Sequence, residues 1–153
     1  MTGQRVLPVA VALLVFHLGA AAAAANSAAD TVGSVKGSSG AAAILRGGRS
    51  LPASPGLRLE AGDVIETGPD GRVGVILRDD GVLSLGPSSR VAIESFLFVP
   101  AERKLGFVVR IARGTLAYIS GVIGRLAPET VRFRTPVATA GIRGTHLAIR
   151  VAP

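Results

Sequence analysis

The stretch that decides the fold is Arg72–Gly86, "RVGVILRDDGVLSLG". Val73, Val75 and Leu77 alternate with Arg72 and Arg78, so the apolar side chains share one face and the charges take the other. "RDDG" then offers Asp and Gly where a tight turn needs them, and "VLSL" resumes the alternation. Two such runs joined by a short polar turn read as a β-hairpin. The same reading extends outward in both directions. "AAAILR", "DVIETG", "RVAIESFLFV", "KLGFVVRIARGTLAYIS", "VRFRTPVATAG" and "THLAIRV" fit strands of about four to eight residues. "GPDG", "LGPSS" and "ARG" supply turn signals between them. No stretch keeps helical spacing for long, although a short helical turn is expected around "GVIGRLAPE", before Pro128. "GGRSLPASPG" reads as a loop, because Pro52 and Pro55 cannot donate to a central ladder. The expectation is an all-β single domain of short antiparallel strands, with roll, sandwich and solenoid-like arrangements left open.

Of the 153 residues, the first 25 read as a signal peptide. Arg5 supplies the positive charge, "VLPVAVALLVFHLGAAAAAA" the apolar core, and Ala23 and Ala25 a cleavage pattern ahead of Asn26. An uncleaved membrane anchor is the alternative, since the apolar run approaches the ~20 residues of a span. Residues 26–30 form a linker, and 31–153 the domain. Both readings place the domain outside the cytoplasm, in the periplasm or secreted, which disfavours nucleic acid as a partner. The chain contains no cysteine, so the core alone must hold the fold.

The net charge of +7 is uneven. Asn26–Pro100 holds seven Lys/Arg against eight Asp/Glu, whereas Ala101–Pro153 holds nine against two. Alternation in the late strands sends Leu105, Phe107, Val109, Ile111, Val131, Phe133, Leu147, Ile149 and Val151 inward. It leaves Arg110, Arg132, Arg134, His146 and Arg150 outward as a basic face. That face reads either as an ordinary solvated surface or as a docking site for an acidic protein or an anionic envelope polymer.

Catalysis finds little support. His17 falls in the signal peptide, which leaves His146 among arginines without an adjacent acid to orient it. No cysteine or histidine cluster suggests a metal, and Asp79 and Asp80 read as a hairpin turn rather than a calcium loop. No cofactor motif is present. Glu60, Asp63, Glu66 and Glu94 keep open a carboxylate-dependent, envelope-modifying enzyme. A passive envelope scaffold is the other alternative to a noncatalytic binding or signalling module.

Three motifs in order resemble the FecR domain family. They are Gly62, Asp63, Ile65 and Thr67 ("GD-x-I-x-T"); Asp80, Gly81, Leu83, Leu85, Pro87 and Ser89 ("DG-x-L-x-L-x-P-x-S"); and Thr135, Pro136, Ala138, Arg143, Gly144 and Thr145 ("TP-x-A-x-x-x-x-RGT"). "GTLAY" lies between the last two, and the resemblance covers roughly Thr31–Val151. It implies an all-β extracytoplasmic domain that takes a signal from an outer-membrane receptor and controls a sigma factor through a cytoplasmic segment. Only Met1–Arg5 precede the apolar run, so the domain is expected to carry over without direct sigma-factor control. Gly141 and Gly144 allow tight turns around Arg143, and Thr145 opens the last strand. Arg143 is expected either to clasp a buried carboxylate such as Asp63 or to project as a recognition residue.

Overall fold

The computed structural model describes residues 31–153; residues 1–30, on which the expected signal peptide and linker fall, lie outside the described residues. Twelve strands follow in chain order: β1 (Thr31–Ser39), β2 (Ala42–Arg46), β3 (Arg49–Pro52), β4 (Arg58–Glu60), β5 (Val64–Thr67), β6 (Arg72–Leu77), β7 (Val82–Leu85), β8 (Arg90–Val99), β9 (Lys104–Ile119), β10 (Val131–Arg134), β11 (Thr139–Gly141) and β12 (His146–Val151). One short helix, α1 (Val122–Leu126), sits between β9 and β10, where "GVIGRLAPE" predicts it. The protein is therefore all-β, as its alternation dictates.

The strands form one curled sheet with two halves. One half runs β4-β1-β6-β7-β9-β12, and the other runs β3-β2-β5-β8-β9-β10-β11. The sixteen-residue β9 belongs to both. Its first part pairs with β8 and β10, and its last part with β7 and β12. The "ARG" at Ala112–Gly114 is therefore a bend inside a continuous strand, not the turn that a glycine suggests. The burial pattern shows why: Phe107, Val109 and Ile111 point inward, and after the bend Leu116 and Tyr118 do. The inward parity shifts once, as a bulged strand requires when it passes from one half to the other.

Two further expectations are corrected. "RSLP" is strand β3, because it occupies the sheet edge, where Pro52 opposite Ala43 need donate no ladder bond. Not every ladder is antiparallel either: β10 runs parallel to β9, after the α1 segment carries the chain back to the start of β9's ladder.

The core lies between the halves as one cluster. Val73, Val75, Leu77 and Leu83 come from one side, with Ile44, Ile65, Val91 and Ile93 from the other. Phe107, Tyr118 and Phe133 meet at its centre, with ring centroids 5.1–6.2 Å apart. Without disulfides, this shared burial holds the two halves together.

Candidate binding surface

The motif residues build the frame. Asp63 is 1% exposed and held by Arg46 through a fork of two bonds, Nε to Oδ1 at 2.8 Å and Nη2 to Oδ2 at 2.7 Å. Arg46 also reaches Glu60 Oε1 at 3.0 Å and the Arg58 carbonyl at 2.7 Å, while the Glu60 amide donates to Asp63 Oδ2. The bond to Asp63 raises the Arg46 pKa above its ordinary value, against the opposing effect of burial. This corrects the expected Arg143–Asp63 clasp. Leu45 lies opposite Val64 in the β2–β5 ladder, which sets Arg46 beside Asp63. Arg143 belongs to the connection that enters β12 and is exposed, without an ion pair among the described residues.

The second motif and the residue just before it carry two buried polar groups. Asp79, 1% exposed, accepts from the Gly81 amide at Oδ1 and from the Ile123 amide at Oδ2, both at 3.1 Å. Its own carbonyl takes the Val122 amide, so the hairpin residue caps the start of α1. Asp80, next to it, holds φ at 65°, a turn conformation that short polar side chains tolerate. Ser89, fully buried, donates to the Gly86 carbonyl and accepts from the Thr115 amide. The Ser89 amide in turn donates to the Thr67 hydroxyl, which donates to Gly86. Thr67, Ser89 and Thr115 come from three separate motifs and meet at the corner where the chain passes between halves. The motif residues named so far serve the fold.

The proposed basic face divides in two. Arg132 and Arg134 on β10 lie beside β9, with Arg134 opposite Arg110. Glu94 on β8 binds both Arg110 (2.5 Å) and Arg134 (3.2 Å), an acidic partner that counting charge within the late segment misses. Arg132 makes no ion pair among the described residues. Arg150 and His146 stand on β12, opposite Thr115 and Ile119, about 16 Å and about 30 Å further along β9 than Arg110. The His146 ring contacts the Thr145 hydroxyl at 3.0 Å.

Register shows what surrounds the second group. Ser34, Ile76, Val82, Ile119 and His146 form one outward row across five strands, with Ile76 and Ile119 38% and 44% exposed. The next row is small throughout: Gly37, Gly74, Ser84, Ala117 and Ala148. It leaves a shallow trough of about 370 Å³ that Arg72 and Arg150 both line. A second cleft, of about 300 Å³, lies at the start of β12 between Arg125 and Arg143, with Ser120, Pro128 and Thr145 in its wall. Arg72 and Arg125 escape a reading that looks only for outward arginines on late strands. One is on an early strand that register brings alongside, and the other is on a helix.

The carboxylates are committed elsewhere. Glu60 and Asp63 bind Arg46, Glu66 binds Arg90, and Glu94 binds Arg110 and Arg134. Among the described residues no three His, Cys, Asp or Glu gather to hold a metal ion.

A profile of the family described as FecR protein matches residues 63–153, more than half of the chain. The protein belongs to the FecR family. The match takes in Asp63, the Asp80–Ser89 hairpin and corner, and the Thr135–Thr145 segment. FecR domains are signalling and regulatory domains, and no helix among the described residues is long and apolar enough to cross a membrane. No curated protein and no solved structure matches the chain.

Proposed function

We propose that this FecR domain is an exported, noncatalytic signalling module that docks an acidic protein in the cell envelope through the cationic surface around β9, β10 and β12. The observation that carries the reading is the contrast between two sets of arginines. Arg110 and Arg134 share Glu94 as an ion-pair partner, whereas Arg132, Arg143 and Arg150 make no ion pair among the described residues. Exposed guanidiniums near a trough and a cleft suit bidentate contacts to carboxylates. Membership in a regulatory family supports a role in binding, and the pairing of every carboxylate once considered for catalysis with an arginine supports a noncatalytic one.

The test is capture of envelope proteins by the purified chain, repeated between about 50 and 500 mM salt and with an R132E/R143E/R150E variant. A captured acidic protein that is lost at high salt and with the variant is the expected result. Capture of anionic glycan alone would replace the protein partner by a polymer. Capture of nothing at any salt would leave a passive scaffold.

A further inference from the structure

Among the described residues the curled sheet leaves four terminal edges, and three are poorly suited to accept another strand. β4 and β11 are three residues long, and β3 has four and ends in Pro52. Short strands, charge and proline are the usual means of blunting an edge. β12 differs, with six residues from His146 to Val151, no proline and, among the described residues, only β9 as a neighbour.

The ladder phase identifies its unused groups. The Ser120 amide donates to the Thr145 carbonyl, and the register continues with Leu147 opposite Tyr118 and Ile149 opposite Leu116. Alternation therefore turns the backbone of Leu147, Ile149 and Val151 toward β9 and that of His146, Ala148 and Arg150 toward the free edge. The side chains are equally incomplete. Leu147, Ile149 and Val151 point inward but are only partly buried, while Leu116 and Tyr118 on β9 are 2% and 1% exposed. The core thus stays open on this side.

We propose that the β12 edge accepts an extended segment of an acidic partner as an added strand, with apolar and acidic residues alternating. The partner's apolar side chains cover Leu147, Ile149 and Val151. Its carboxylates lie on the outer face beside Arg150 and His146, within reach of Arg143 where β12 begins. A second copy of the chain is the poorer occupant. Antiparallel pairing through the same edge would bring both Arg150 guanidiniums onto one outer face, and like charges on one face of a ladder disfavour it. Backbone bonds supply affinity in such strand addition, and the alternating side chains supply specificity. The proposal rests on the docking role above and adds how the partner is held.

The probe is a capped ten-residue peptide of alternating Glu and Val, with the Lys/Val counterpart as control. On addition of the Glu/Val peptide, amide exchange at His146, Ala148 and Arg150 should slow at least ten-fold, with little change at Leu147 and Ile149. Ala148→Pro removes an outward amide without touching the β9 ladder, and an edge tolerates proline. It should weaken binding at least ten-fold while the melting transition stays close to that of the parent chain. Arg150→Glu should weaken binding to a similar degree, and the Lys/Val peptide should not bind. Binding that survives Ala148→Pro, or that leaves the Ala148 amide exchanging freely, overturns strand addition. If that binding is still lost with Arg150→Glu, electrostatic docking stands without it. Failure of the Glu/Val peptide to bind at all overturns the strand proposal, while envelope capture in the preceding experiment decides the docking role separately.

Discussion

Tyr118 shows how a single residue can carry a structural cost that its sequence context hides. Its ring fills the centre of the core between Phe107 and Phe133, and "GTLAY" places it there by simple alternation. Its hydroxyl, however, is buried without a well-aligned hydrogen-bond partner. Burial, with Asp79 adding to it, pushes the phenol up to about 12, although the Gly121 backbone and Arg125 pull the other way. A phenol whose pKa rises on folding makes the folded state hold its proton longer than the unfolded one. Stability from this source is complete below pH ~10, falls as pH rises toward ~12, and levels off above. Tyr118→Phe should therefore be neutral or up to ~1 kcal/mol stabilising at pH 7, because it removes an unsatisfied polar group. It should also flatten the loss of stability between pH ~10 and ~12, a loss of order 2 kcal/mol in the parent chain. Denaturant titrations of both proteins at pH 7, 9, 10 and 11 check this; parallel curves would remove the phenol from the account. Arg46 illustrates the complementary limit of sequence reading. From the sequence, only Arg143 suggests itself as a partner for Asp63; finding Arg46 instead requires the β2–β5 register, which no local pattern supplies.

At the scale of elements, the inward and outward faces were legible and the boundaries were not. Phe107, Val109, Ile111, Val131 and Phe133 all point inward as alternation demands, because a period of two survives any arrangement of strands. Gly114 misleads because glycine signals both turns and bulges. Here its φ is +92° and its missing Cβ is where Ser89 sits, so the residue permits close approach at the corner rather than a chain reversal. Gly114→Ala should accordingly cost about 3 kcal/mol or prevent folding, since it adds backbone strain to a collision with buried Ser89 backbone and side-chain atoms. Gly47→Ala is the control: its φ is also positive, at 53°, but a Cβ there meets open space. It should cost only the backbone strain, about 1 kcal/mol. Thermal melts of the two variants compare the corner with an ordinary turn, and equal losses would mean that the corner contact is unimportant.

For the molecule as a whole, the sharing of β9 decides how the domain behaves. A sandwich of two independent sheets could lose one layer before the other, and the sequence alone leaves sandwich, roll and solenoid open. In the observed topology every path from β4 to β3 passes through β9, and one cluster of buried side chains spans both halves. The basic face was less legible than the fold for the same reason. Segment charge is a sequence property, but Glu94 reaches Arg110 and Arg134 only because β8 pairs with β9. If β9 joins the halves into one cooperative unit, removing core volume from either half must lower the same transition. Leu83→Ala, in the half that holds β12, and Ile93→Ala, in the other, each empty a fully buried site and should cost about 2–5 kcal/mol. Near-ultraviolet signal from Tyr118 and far-ultraviolet signal from the strands should then melt at one midpoint in the parent chain and in each variant. A second transition in only one variant would show that the halves unfold separately, and that β9 joins them in space without coupling them in stability.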